Sequence, residues 1–129
     1  MNHTVSDLVI RLKNACMARR KEVEIPYSKI SKSITEALLR HKFLGSVSQE
    51  DRLGRRVLIV GIKYERRIPA ISDVRIISKP SLRKYAKGSD MTSIAKGRGI
   101  TLISTSRGVF SDREAKKEGI GGELLFKIW

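Results

Sequence analysis

The sequence lacks the residues on which several classes of protein depend. It contains a single cysteine, Cys16, so an intrachain disulfide cannot form and a cysteine zinc site has no second thiolate. This is typical of a reducing compartment and predicts a cytoplasmic protein. Its apolar runs are short, since residues 57–62 end at Lys63, far below the roughly 20 residues that cross a bilayer. Residues 1–13 lack the order of a signal peptide, so we expect neither export nor a membrane span.

Groups that could support catalysis are scarce. The two histidines, His3 and His41, have no second ligand or acid partner near them in the sequence. Cys16 falls on the apolar stripe of a predicted helix, where burial makes a thiol poorly reactive. The acids alternate with bases, as in residues 112–114, which is typical of a solvated face. We therefore predict no catalytic residues, no metal site and no cofactor.

The chain has few acids for its number of bases. It holds 27 Lys and Arg against 13 Asp and Glu among 129 residues, giving a net charge of +14. Each half of the chain carries a net charge of about +7, so the whole surface is basic rather than one tail. With 40% hydrophobic residues the chain can still build a core. Because like charges repel in a compact state, we expect a polyanionic partner, with nucleic acid as the first choice.

Hydrophobic spacing predicts a helix, a strand, a second helix and two strands in the first half. The first helix carries its apolar stripe from Val5 to Cys16, with Thr4 as its cap. The second begins near Ser28 and is closed by Gly45. The predicted strands are residues 22–26, 43–49 and 55–64, with a polar turn at residues 50–54.

Beyond the charged residues 65–67 the pattern changes to short strands, which places a domain boundary between residues 68 and 73. Ser111 and Glu114 form a capping box for a short helix that Gly119 ends. Further helical turns are predicted at residues 89–96, and further strands at residues 74–78, 82–87, 100–105 and 122–129. The predicted fold class is α+β with two small domains. Residues 1–67 form the helix-strand-helix-strand-strand domain, and residues 68–129 form a mostly β domain with short helices.

Three hydroxyl side chains, Ser104, Thr105 and Ser106, follow a predicted strand and precede Arg107 and Gly108. Small donors and acceptors on a turn suit RNA, whose recognition uses splayed bases, 2′-hydroxyls and groove shape. A turn rich in Ser and Thr that hydrogen-bonds its own backbone explains the same residues equally well. If the RNA interpretation holds, Thr105→Ala or Ser106→Ala erases the preference for the cognate RNA.

Cations alternate with an aromatic ring in residues 83–87. Arg83 and Lys87 can pair with phosphates while Tyr85 stacks on a base, a contact worth about 1–3 kcal/mol. We expect Arg83→Ala to weaken binding to all RNAs alike. The alternative is that Tyr85 is a half-buried strand residue.

Two glycine clusters, residues 96–99 and 119–122, allow a close backbone approach but match no phosphate-binding GxxxxGK[ST] loop. Tight turns explain both equally well. Glu123 follows the second cluster and is an unusual acid on a basic surface. It is a candidate to orient a neighbouring hydroxyl or cation, or to accept from a base amino group. The alternative is a plain exposed strand residue.

Several blocks along nearly the whole chain resemble the bacterial small-subunit ribosomal protein eight family. The blocks are residues 7–15 (DLVIRLKNA), 77–85 (ISKPSLRKY), 99–108 (GITLISTSRG), 111–115 (SDREA) and 121–123 (GGE). Their order and spacing carry the resemblance. The sequence departs from the family pattern in two places: His3-Thr4 replaces the usual Asp-Pro before the first helix, and Ser81 replaces the usual glycine.

The resemblance implies two small α/β domains and a structural constituent of the small ribosomal subunit. It implies a primary binder of the central domain of small-subunit ribosomal RNA that helps to assemble the platform beside neighbouring ribosomal proteins. With the residues singled out above, the candidate RNA-binding set of the second domain is Arg83, Tyr85, Ala86, Lys87, Ser104, Thr105, Ser106, Arg107, Gly121, Gly122 and Glu123. In the first domain the candidates are Thr4, Arg11, Asn14 and Lys29.

Other functions remain as alternatives. Some members of the family also repress translation by binding the messenger RNA of their own operon, with the same surface. An RNA-processing enzyme would need a carboxylate or histidine cluster, and a duplex-DNA binder would need a basic recognition helix. We expect the small ribosomal subunit in the cytoplasm as the location.

Overall fold

The computed structural model describes residues 2–91 and 97–129. The chain divides into two compact units, His3–Ser72 and Asp73–Trp129, and both combine helices with antiparallel sheets. The predicted α+β class is confirmed.

The first unit begins with helix α1 (Asn2–Met17), which buries the predicted apolar stripe through Leu8, Val9 and Leu12. The prediction that Thr4 caps this helix is wrong, because α1 already begins at Asn2 and Thr4 lies in its first turn. The first N–H groups of a helix have no intrahelical acceptor, so polar residues are tolerated there and the helix can extend past the predicted cap.

Helix α2 (Lys29–Arg40) begins at Ser28, whose hydroxyl accepts a hydrogen bond from the Ser31 N–H at 3.1 Å. The predicted end at Gly45 is wrong. Lys42 takes the left-handed conformation at φ 67°, and the Phe43 N–H bonds back to the Leu38 carbonyl at 2.9 Å. These contacts end the helix before Gly45, which lies in the next strand.

The sheet of the first unit has the order β1-β3-β2, with all neighbours antiparallel. Its strands are β1 (Glu22–Pro26), β2 (Leu44–Arg52) and β3 (Arg55–Ile62). The turn between β2 and β3 is shorter than predicted, because Leu53 and Gly54 alone reverse the chain, both with positive φ. A small hairpin follows, formed by β4 (Tyr64–Glu65) and β5 (Ile68–Pro69).

The second unit is built around its last strand. Its strands are β6 (Val74–Ile76), β7 (Tyr85–Ala86), β8 (Ile100–Thr105), β9 (Gly108–Ser111) and β10 (Gly122–Ile128). The sheet order is β6-β10-β8-β9, and β7 also pairs with β10. A core cluster of Met91, Ile103 and Ala115 packs beneath it.

The short helix α3 (Asp112–Glu118) starts and ends as predicted. The Ser111 hydroxyl accepts from the Glu114 N–H at 3.1 Å, and the Glu114 carboxylate accepts from the Ser111 N–H at 2.9 Å. Gly119 follows in the left-handed conformation. The capping box is therefore confirmed.

Two predicted elements of this unit differ from the structure. The strand predicted at residues 82–87 is reduced to Tyr85–Ala86, because Lys79 and Leu82 bond to each other across Pro80 in a separate turn. Of the helical turns predicted at residues 89–96, the structure gives a 3-10 helix at Gly88–Asp90. Residues 92–96 lie outside the described part of the chain.

Strand β10 contains a register shift that decides which side chains share a face. Glu123 pairs with Ser104, but beyond the irregularity at Leu125 the partner of Lys127 is Thr101. Ser104 and Thr101 are three residues apart on β8, so their side chains point to opposite faces of the sheet. Glu123 and Lys127 therefore also lie on opposite faces.

Candidate nucleic-acid interface

Three predicted site residues form one row across the sheet of the second unit. Glu123 of β10 pairs with Tyr85 of β7 on one side and with Ser104 of β8 on the other. Directly opposite residues of antiparallel strands point their side chains to the same face. The row Tyr85–Glu123–Ser104 thus places an aromatic ring, a carboxylate and a hydroxyl side by side.

Gly121 and Gly122 allow β10 to approach its neighbours closely enough to form this row. A Cβ on Gly121 would overlap the Ala86 carbonyl oxygen, and one on Gly122 would overlap the Ser104 carbonyl oxygen. Both positions therefore require glycine because of neighbouring backbone, and neither glycine needs a phosphate to explain it.

Glu123 is paired with Arg83. The Arg83 guanidinium Nη1 lies 3.2 Å from both carboxylate oxygens, and the two side chains are only 26% and 17% exposed. Of the roles considered for this acid, the structure shows the orientation of a neighbouring cation. Because Glu123 neutralises much of the Arg83 charge, this arginine is less available to phosphate than the sequence suggested.

The Thr105 hydroxyl organises the turn between β8 and β9. It donates to the Gly108 carbonyl at 2.8 Å and accepts from the Arg107 N–H at 3.1 Å. For Thr105, the alternative of a turn that satisfies its own backbone is therefore the one observed.

Ser106 stands at the tip of the same turn, and its side chain is exposed. No hydrogen bond joins its hydroxyl to any part of the chain in residues 2–91 or 97–129, and the same holds for the half-buried Ser104. Arg107, next along the turn, lies 3.6 Å from the exposed Glu118 carboxylate. The turn thus presents the Ser106 hydroxyl to an external partner on a scaffold that Thr105 holds.

Tyr85 is 68% exposed, so the alternative of a half-buried strand residue is wrong. Lys84 and Lys87 on either side are also exposed, and neither forms an ion pair with another residue that the structure describes. Ala86 between them packs against the core cluster and fixes the segment. An aromatic face flanked by two free ammonium groups is the arrangement that stacks a base and attracts its phosphates.

Ser78 also fixes this segment, although the sequence did not single it out. Its hydroxyl accepts from the Lys84 N–H at 2.9 Å and lies 3.3 Å from the Lys84 carbonyl, to which it donates. Both bonds fasten Lys84, the residue before Tyr85, to the segment that follows β6. In the sequence, only the Lys-Pro pair at residues 79–80 indicates that the chain turns between Ser78 and Lys84.

Two of the four candidates of the first unit, Thr4 and Lys29, lie near the beginnings of its two helices. Thr4 lines a cleft with Asp7, Tyr27 and Ser28, and Lys29 is the exposed first residue of α2 beside it. The N-terminus of a helix favours negative charge, which makes this cleft compatible with an anionic ligand.

Arg11 and Asn14 occupy the outer side of α1, away from its buried stripe. The Arg11 guanidinium donates to the Asp7 carboxylate at 2.9 Å and to the Glu24 carbonyl at 3.1 Å, which fixes it between α1 and β1. Asn14 follows one turn further along the helix and does not line the cleft at Thr4.

The groups considered for catalysis are not brought together in the described part of the chain. Residues 2–91 and 97–129 contain no group of three His, Cys, Asp or Glu side chains that could hold a metal ion. Partial burial raises the pKa of the Cys16 thiol above its ordinary value. Within the same residues, no helix is long and apolar enough to cross a membrane.

Comparison with known proteins agrees with the resemblance seen in the sequence. A sequence model of the family described as ribosomal protein S8 matches residues 3–129. The chain is 38% identical to the small ribosomal subunit protein uS8 of Trichodesmium erythraeum, over 99% of this chain and 98% of that protein. It is 41% identical to the uS8 protein of Coprothermobacter proteolyticus, over 98% and 97% of the two chains, and 40% identical to that of Persephonella marina, over 97% and 96%. The chain therefore belongs to the ribosomal protein S8 family.

Proposed function

We propose that this protein is a structural constituent of the small ribosomal subunit and that it binds the central domain of small-subunit ribosomal RNA. Its location is then the ribosome, among neighbouring small-subunit proteins, where it helps to assemble the platform. The names of its relatives, small ribosomal subunit protein uS8, support the subunit assignment. The surface of the second unit supports the RNA assignment.

The observation that carries the proposal is the row Tyr85–Glu123–Ser104, which combines one stacking ring with two hydrogen-bonding groups on a single sheet face. The flat, fixed row matches an irregular stem better than a regular duplex, because irregular stems expose base faces and edges. The flanking Lys84 and Lys87 supply attraction to the phosphates. On this proposal the cations supply affinity for any RNA, and the row and the turn at Ser106 supply the preference for the irregular stem.

The role is non-enzymatic on this proposal. The acid of the row, Glu123, is occupied by Arg83 rather than held ready for proton transfer. RNA binding through hydroxyls, one ring and lysines needs no activated nucleophile and no cofactor.

The proposal is tested by the binding of an irregular central-domain stem and a regular stem of equal length at the same salt concentration. We expect the protein to prefer the irregular stem, and Ser106→Ala to lose that preference while it keeps its affinity for the regular stem. Because the Ser106 side chain is exposed, the melting temperature stays unchanged.

Ser48→Ala is the matched control, since Ser48 is also an exposed serine but lies on β2 of the first unit. This variant retains the full preference. Equal affinity of the unmodified protein for both stems would contradict the proposal. A messenger RNA stem of the same shape would occupy the same surface, so sequencing of the RNA recovered with the protein distinguishes the ribosomal target from an operon target.

A further inference from the structure

We propose that the second unit carries an additional RNA site, a pocket that takes one unstacked nucleotide. The pocket is lined by Arg75, Arg98, Lys127 and Trp129, and we name it the Trp129 pocket. This inference rests on the proposed RNA-binding function, but it uses other residues and another face of the sheet.

The fold brings three cations to one place. Arg75 of β6 and Lys127 of β10 are directly opposite each other in the sheet. Like charges in such a pair destabilise a sheet unless something neutralises them. Arg98 approaches from the loop before β8.

Glycines on both sides of Arg98 explain how this loop comes so close. Gly97 and Gly99 have φ values of +85° and +84°, which L side chains rarely adopt. A Cβ on Gly99 would overlap the Ile128 carbonyl and lie 2.7 Å from Trp129 Cβ, while one on Gly97 would lie 3.8 Å from Lys127 Nζ. Gly97 and Gly99, which the RNA surface does not use, thus bring Arg98 to this pocket.

The electrostatics of the Trp129 pocket favour an anion. None of the side chains that the structure describes along the pocket is acidic, and within residues 2–91 and 97–129 none of Arg75, Arg98 and Lys127 forms an ion pair. Three unneutralised cations around one concavity raise the local concentration of anionic ligands.

The shape of the pocket points to a nucleotide rather than a simple ion. Its volume of about 250 Å³ exceeds by far the roughly 30 Å³ that a water molecule occupies. Trp129 is one of the lining residues, and a nucleobase can stack on an indole ring while cations bind its phosphates. An acidic peptide would use the cations but would leave the indole without a partner.

The Trp129 pocket lies on the opposite sheet face from the row Tyr85–Glu123–Ser104. The irregularity at Leu125 reverses the alternation of β10, so Lys127 points away from the face that Glu123 occupies. An RNA stem on the row therefore leaves the pocket open. The second unit can then hold a stem on one face and a single-stranded nucleotide on the other.

The test uses Trp129 itself as the probe, because it is the only tryptophan in the sequence. A short single-stranded RNA of mixed sequence is titrated while Trp129 emission is recorded, beside an abasic RNA of the same length and polyglutamate. We expect the mixed-sequence RNA to quench Trp129 and to bind about tenfold or more tighter than the abasic RNA, because base stacking is absent in the latter. Polyglutamate leaves the emission unchanged.

Substitutions of the pocket residues test whether the RNA binds there, and fluorescently labelled RNA reports the binding. We expect Trp129→Leu to weaken the single-stranded RNA about tenfold or more, and Trp129→Phe to retain most of the affinity, since a ring remains. Lys127→Gln reduces the slope of the logarithm of affinity against the logarithm of salt concentration by about 0.7 for each phosphate that this lysine neutralises. Lys117→Gln removes the same charge from the exposed side of α3 and serves as the matched control, without effect.

Two outcomes overturn the inference. The first is unchanged Trp129 emission on addition of single-stranded RNA while the irregular stem still binds, which leaves the proposed function standing. The second is equal binding of abasic RNA or quenching by polyglutamate, which assigns the pocket to phosphate alone or to an acidic protein. Failure of the protein to bind any stem would instead contradict the proposed function.

Discussion

At the scale of single residues, the Thr105 hydroxyl fixes the position of a neighbouring hydroxyl, that of Ser106. Its two hydrogen bonds close the turn that presents Ser106. We expect Thr105→Val, which keeps the branched shape but removes both bonds, to lower the free energy of unfolding by about 1 kcal/mol. It also reduces the preference for the irregular stem, because the Ser106 hydroxyl is no longer fixed.

Thr105→Ser is the matched control, since it retains the oxygen that makes both bonds. Urea denaturation and stem-binding measurements on the two variants check the prediction. A reduced stem preference in Thr105→Ser but not in Thr105→Val would instead indicate direct contact of the threonine methyl with RNA, because valine keeps that methyl and serine lacks it.

The pair of Arg83 and Glu123 belongs to the same scale. Removing Arg83 alone leaves a largely buried carboxylate within the proposed RNA surface, where it would repel phosphate. We therefore expect Arg83→Gln to weaken RNA binding more than the double variant Arg83→Gln/Glu123→Gln does. A double-mutant cycle on the free energy of unfolding should give a coupling of about 1 kcal/mol.

One result of this comparison would contradict the prediction. If Arg83 contacted phosphate independently of Glu123, the single and double variants would lose RNA affinity equally. Lys84→Gln provides the reference for removal of a cation that has no acid partner among the described residues. Filter binding at one salt concentration is sufficient to rank the four proteins.

From the sequence, candidate residues could be chosen by type, but the contacts that each of them makes could not be predicted. Tyr85 could be singled out because an aromatic ring between cations can stack on a base, and only its exposure excluded the alternative of a half-buried strand residue. The pairing of Arg83 with Glu123 could not be predicted, because 40 residues separate them and only the register of β7 on β10 brings them together. Thr105 offered two roles with equal support, and the position of the Gly108 carbonyl decided between them.

At the scale of secondary-structure elements, β10 depends on the absence of side chains where it passes between β7 and β8. We expect Gly122→Ala to destabilise the protein by about 1–3 kcal/mol, because its Cβ would overlap the Ser104 carbonyl and force the strands apart. The same displacement disrupts the row and lowers the affinity for the irregular stem. Thermal and urea unfolding measure the first effect.

Gly45→Ala is the control for this substitution. Gly45 also lies in a strand, but the contacts of an added Cβ there begin at 3.6 Å, which is ordinary packing. We expect its stability to stay within about 0.5 kcal/mol of the unmodified protein. Equal stability of both alanine variants would show that β10 can shift without cost.

Elements with strong local signals were predicted and those set by distant contacts were not. The apolar stripe of α1 and the capping box of α3 are local signals, so both helices could be predicted from the sequence, although α1 begins before the predicted cap at Thr4. The end of α2 depends on Lys42 in a left-handed conformation, which is rare for this residue type and left Gly45 as the apparent stop. The shift at Leu125 arises from pairing with β8 and has no local signature.

At the scale of the whole molecule, the charge of +14 determines how binding responds to salt. Each phosphate that a cation neutralises releases counterions, so the logarithm of affinity falls with the logarithm of salt by about 0.7–0.9 per contact. Hydrogen bonds and stacking release few ions. The slope therefore counts phosphate contacts, and the affinity that remains at high salt reports selection by shape.

We expect Lys84→Gln and Lys87→Gln each to reduce this slope by about 0.7–0.9, because both lysines are exposed beside Tyr85 and free of ion pairs with the described residues. Ser106→Ala should leave the slope unchanged and lower only the preference for the irregular stem. Binding of both stems across a salt series separates the two effects. Lys117→Gln, on α3, is the control and should change neither quantity. A Ser106→Ala slope reduced like that of the lysine variants would mean that the turn binds phosphate, and selection would then have to come from Tyr85 and Ser104.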